Sequence, residues 1–121
     1  MYWLYIFIGG GIGSLLRYAI SLISFRFLTV TFPIATLISN SLACLILGII
    51  VYAFSGKTIQ YEWVQPLLVI GLCGGFSTFS TFSNETVQLF TSGNALMAIL
   101  NILISLASGI GIIYVFQNTV K

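Results

Sequence analysis

Charge is nearly absent from this sequence. Only six of its 121 residues are charged: Arg17, Arg26, Lys57, Glu62, Glu85 and Lys121. That is 5% of the chain, against about 25% in a water-soluble domain. No histidine occurs, and 59% of the residues are apolar, with a mean hydropathy of +1.12. Six charges cannot cover a water-facing surface. The sequence therefore predicts a polytopic integral membrane protein with the lipid bilayer as its solvent.

A helical crossing takes about 20 apolar residues. The apolar runs predict four transmembrane helices, at about residues 3–24, 32–54, 64–90 and 95–116, in a single all-α domain over 1–121. A β-barrel does not fit, because the runs are long and do not alternate with polar residues. Phe25–Thr31, with Arg26, is read as the first loop. Ser55–Glu62 is the most polar stretch and forms the second, and Thr91–Asn94 is a tight turn. The apolar N-terminus lacks a basic leader and a small-residue cleavage site, so it reads as a retained span. Four spans put Lys57 and Lys121 on one side, and Arg26, with Arg17 if it reaches the interface, on the other. Basic residues favour the cytoplasmic side. Two against two gives no bias and predicts insertion in both orientations.

Composition also excludes functions. A net charge of +2 gives no basic surface for nucleic acid. Cys44 and Cys73 fall in apolar runs without metal-ligand spacing and read as small packing residues. There is no carboxylate pair, phosphate loop or metal cluster, so the chain is not expected to be an enzyme.

Several polar residues stand inside the spans. Gly9 and Gly13 have the helical spacing that lets helices approach closely. Arg17 either snorkels to the headgroups or attracts an anion at a pore mouth. Asn40, between Ser39 and Ser41, needs buried partners. It either bonds a neighbouring helix or offers its NH2 to a passing anion. Asn101, Ser105 and Gly109 recur every four residues as one polar or small stripe, which suits either helix packing or a pore wall. Glu85 is placed to pair with Arg17 or to sit at the interface.

The most informative segment is Gly74-Gly75-Phe76-Ser77-Thr78-Phe79-Ser80-Thr81-Phe82-Ser83. Two adjacent glycines permit a helix break. Irregular backbone at membrane depth is tolerated only when buried in protein or lining a cavity. The freed carbonyls suit a cation, and the hydroxyls supply donors. Phe79 and Phe82 share a helix face, and their ring edges carry partial positive charge that can face an anion.

The chain resembles the Fluc (CrcB) fluoride channels. The likeness runs end to end: a glycine-rich first span ending in Arg17-Tyr18, Asn40 in the second, and the Gly74–Phe82 run followed by Glu85. The resemblance implies an antiparallel, dual-topology homodimer of four-helix subunits in the bacterial inner membrane. It implies two fluoride pores along the subunit interface and passive export of cytoplasmic fluoride. It also implies a structural sodium ion, held by backbone carbonyls that correspond to Gly74 and Ser77. The same likeness makes Asn40, Phe79, Phe82, Ser80 and Thr81 pore residues, Arg17 a vestibule residue, and Asn101 and Ser105 a possible pore wall. Four positions depart from the common pattern: Ala35, Ala43, Ser77, which stands where many members have threonine, and Asn101, which stands where some have an aromatic residue. A proton-coupled small multidrug transporter would need an acid in the first span, which has Arg17 instead. A scaffold subunit would leave the polar run at Gly74–Ser83 without a purpose.

Overall fold

The computed structural model describes residues 1–28, 31–55 and 61–119. Among these residues all regular structure is helical. Helix α1 is Tyr2–Phe27 and α2 is Ile34–Ala53. The third span begins as α3, a π-helical stretch Gln65–Cys73 continued by the α-turn Gly74–Phe76. It resumes as α4, Phe79–Thr91, and α5 is Ala95–Thr119. Four segments are long and apolar enough to cross a membrane, with the third counted as Gln65–Thr91.

Two helices run on past the ends of their apolar runs. Phe25–Phe27 is helical rather than loop. Arg26 in the last turn complements the negative end of the helix dipole, which favours the extra turn. Helix α5 likewise runs past Phe116 to Thr119, whose hydroxyl bonds the Val115 carbonyl. Polar residues can extend a helix into the headgroup layer, where an apolar run no longer marks it. The second helix starts after Pro33, which serves as its N-cap. Lys57 and Lys121, two of the four cations in the orientation count, lie outside the described residues.

Glycines decide how the first and third spans meet. A side chain on Gly9 would collide with the Leu67 carbonyl, and one on Gly13 with the Leu72 carbonyl. From the opposite side, Gly75 sits against the Gly10 backbone and Gly71 against Gly9. The two helices therefore lie backbone to backbone, the packing use of glycines four residues apart. Helix α2 packs chiefly on α5, and so does α4. A small core of Ile50, Val64 and Cys73 closes one end. There Phe54 meets the rings of Tyr61 and Trp63 edge-on, at 5.7 and 6.4 Å. Tyr2 donates to Glu62 Oε2 at 2.7 Å, which ties the start of α1 to the start of the third span. Gly93, at φ 83°, makes the turn between α4 and α5, a conformation glycine adopts without strain.

Candidate functional site

The third span is interrupted halfway along its length. Ser77 and Thr78 are extended, with φ/ψ of −77°/158° and −152°/112°. Asn40 on α2 holds this step from the side. Its Oδ1 accepts the Thr78 N–H at 2.7 Å, and its Nδ2 donates to the Thr78 carbonyl at 3.3 Å. Thr78 is buried, so both backbone groups would otherwise lack partners. Its hydroxyl then caps α4, accepting from Thr81 N–H at 3.3 Å and donating to Thr81 Oγ1 at 3.0 Å.

These bonds free two carbonyls. In a continuous helix the Thr78 N–H would bond the Gly74 carbonyl and the Thr81 N–H the Ser77 carbonyl. Asn40 takes the first donor and the Thr78 hydroxyl takes the second. The two carbonyls released in this way belong to the two residues expected to hold a cation. Gly74 is exposed on the surface of the chain. Neutral carbonyl oxygens suit a hard cation, so the residues present fit a sodium ion.

The aromatic and hydroxyl residues sit just beyond the break. The Phe79 and Phe82 rings lie 6.0 Å apart, tilted by 41°. Phe79 is 80% exposed and Phe82 half-buried, while Ser80 is exposed and Thr81 half-buried. A pocket of about 250 Å³ adjoins the step. It is walled by Ser14, Arg17 and Ser21 of α1, by Thr36 and Ser39 of α2, and by Thr78 and Thr81. Arg17 is thus brought to the break from another helix, across a space lined with hydroxyls.

Asn101, Ser105 and Glu85 make contacts of their own. Asn101 is buried within the chain, bonded to Thr86 Oγ1 at 2.9 Å, and Ser105 reaches Asn101 Oδ1 at 3.4 Å. Glu85 accepts from Thr36 Oγ1 at 2.8 Å, and its other oxygen has no bonded partner among the described residues. The carboxylate is therefore engaged by Thr36 and makes no hydrogen bond to Arg17.

The protein family described as CrcB-like protein, Camphor Resistance (CrcB), matches residues 4–116. The chain belongs to the CrcB family. Among its relatives is a protein named fluoride-specific ion channel FluC from Flavobacterium psychrophilum. It is 40% identical over 106 residues, covering 88% of this chain and 86% of the relative. A protein of the same name from Shewanella amazonensis is 38% identical over 117 residues, covering 97% and 94%. Another, from Phocaeicola vulgatus, is 46% identical over 90 residues, covering 74% of each. With four apolar spans and bacterial relatives, this CrcB-family chain is a multi-pass protein of the bacterial inner membrane.

Sequence reasoning about this CrcB chain overlooked Thr78, which is both clamped by Asn40 and the cap of α4. A signal was present. A helix that restarts after a break needs an N-cap, and threonine in front of Phe79 supplies one. Thr36 and Thr86 were also missed. Their roles depend on partners 49 and 15 residues away, and no local pattern reports these.

Proposed function

We propose that the chain is a fluoride-selective ion channel. It passes fluoride out of the cytoplasm, passively and down its electrochemical gradient, and so lowers fluoride toxicity. Its task is transport, with no bond made or broken. What carries this reading is the interrupted third span: an extended step held by Asn40, with exposed Phe79 and Ser80 directly after it. Exposed hydroxyls and interrupted backbone at this depth suit an ion path. Relatives of 38–46% identity that carry the name of a fluoride channel support the same reading.

Fluoride is small and holds water tightly, so a pore must replace that water with donors. Asn40 spends one amide N–H on Thr78, and its second remains to meet an ion. Thr81 accepts from Thr78, which leaves its own proton to donate. Ser80 adds another hydroxyl, and the edges of Phe79 and Phe82 add weak positive potential. These groups are neutral, so they hold the ion loosely enough for it to leave. Arg17 supplies attraction from the wall of the adjoining pocket. Fluoride efflux from loaded liposomes, with chloride as control, tests the function.

The backbone carbonyls of Gly74 and Ser77 would hold a structural sodium ion. When bound, it supplies a fixed positive charge near mid-span without a titratable side chain. Exchange of sodium for potassium throughout purification is expected to lower both the melting temperature in detergent and the fluoride flux. Unchanged values of both would remove the ion from the account.

Two copies are proposed to assemble as an antiparallel dimer with two pores. A mid-span surface that exposes Gly74, Phe79 and Ser80 supports a partner there, since lipid offers such a face nothing polar. C-terminal reporters specific to each side of the membrane are expected to give signal on both sides. Signal from one side alone would contradict a homodimer of dual topology.

A further inference from the structure

Asn101 is 1% exposed, and both polar atoms of its amide are bonded. Nδ2 donates to Thr86 Oγ1 at 2.9 Å, and Oδ1 accepts from Ser105 at 3.4 Å. Thr86 is 7% exposed. Its hydroxyl has a single proton, and that proton goes to the Phe82 carbonyl at 2.7 Å. A directed chain of bonds therefore runs from α5 through Thr86 to the backbone of Phe82. It continues the other way, because Ser108 donates to the Ser105 carbonyl at 3.1 Å and lies 3.2 Å from Ser41 on α2. Ser41 directly follows Asn40. One polar network thus joins the helix that carries the clamp to the helix that carries the rings.

Besides the Thr36–Glu85 bond, the Asn101–Thr86 bond is the side-chain hydrogen bond that ties α4 to a neighbouring helix among the described residues. The first turn of α4 is largely uncovered, and its main packing partner is α5, where Leu89 and Ala98 are buried. Apolar contacts of this kind hold a helix down through burial, which has no directional preference. A bond from a buried amide is directional, since turning α4 would leave Asn101 Nδ2 without its Thr86 acceptor.

On the channel reading above, we infer that Asn101 is a positioning residue: through Thr86 it sets the rotation of α4 and therefore where the Phe82 ring stands. The experiment uses three single variants and one double. Asn101→Leu removes the donor with the same branching, Thr86→Val removes the hydroxyl at the same shape, and Thr86→Ser keeps it. A fluorine label on the Phe82 ring, read by NMR in detergent, reports ring position independently of conduction. Asn101→Leu and Thr86→Val should each move the label signal and lower fluoride flux about tenfold, the scale of one lost buried bond. The double variant should be no worse than either single one, and Thr86→Ser should stay within about twofold of the parent. A label unmoved in Asn101→Leu and Thr86→Val, or losses that multiply in the double variant, would overturn the inference. If Asn101→Leu fails to assemble, the isosteric Thr86→Val decides alone. A parent chain without fluoride flux would refute the channel reading, and the label would still report on the brace.

Discussion

Phe79→Ile or Phe82→Ile is expected to cut fluoride flux about 30-fold while the protein still assembles. The estimate takes about 2 kcal/mol for an anion at the ring edge, by analogy with a desolvated cation over the ring face, at about 1.4 kcal/mol per tenfold. Isoleucine keeps a bulky apolar side chain but has no positive ring edge to offer. Phe79 is 80% exposed, so its loss removes little packing within the subunit. Phe82 is half-buried, and its replacement tests the same surface from the inner side. Flux is read with a fluoride electrode on liposomes, and assembly by size-exclusion chromatography. Parental flux from both variants would remove the rings from the path.

Asn40→Ala is expected to damage both stability and conduction. Alanine leaves the Thr78 N–H and carbonyl without their partners in a buried site. An orphaned group costs about 1–3 kcal/mol, so the pair costs about 2–6 kcal/mol. Against a total stability of about 5–15 kcal/mol that is a large share. Asn40→Asp separates the two roles of the amide. The carboxylate can still accept from Thr78 N–H but cannot donate to the Thr78 carbonyl or to an anion, and its charge repels fluoride. It should retain more folded protein than alanine and still conduct nothing. Melting curves in detergent, measured beside the flux assay, check both. A variant that melts like the parent and conducts normally would show that Asn40 neither clamps the break nor serves the ion.

Much of this architecture was readable from local pattern. The four spans follow from run length and scarcity of charge. The place of the break follows from Gly74-Gly75 and the hydroxyls after them. The close approach of α1 was legible in Gly9 and Gly13, although its partners Gly71 and Gly75 were not, because no pattern in one helix says which neighbour it meets. The π-helical stretch Gln65–Cys73 was also hidden. Its residues are ordinary apolar ones, and wide turns there accompany the packing on α1. Asn40 illustrates the limit most clearly. Its sequence position suggested either a helix–helix bond or a donor to an ion. The geometry uses one N–H and the carbonyl oxygen for the first, on a residue 38 positions away; the other N–H is the one proposed to meet the ion. Asn101 carried the same ambiguity, and its burial against Thr86 came from tertiary packing alone.

Scarcity of charge thus ends as a statement about mechanism. At the break the chain offers neutral donors, freed carbonyls and ring edges. The measurement that tests this most directly is ion efflux from liposomes that contain the purified protein and are loaded with fluoride or chloride. Rapid fluoride efflux down its gradient, with chloride retained, is the predicted result. Equal efflux of both ions, or none of fluoride above protein-free liposomes, would contradict it.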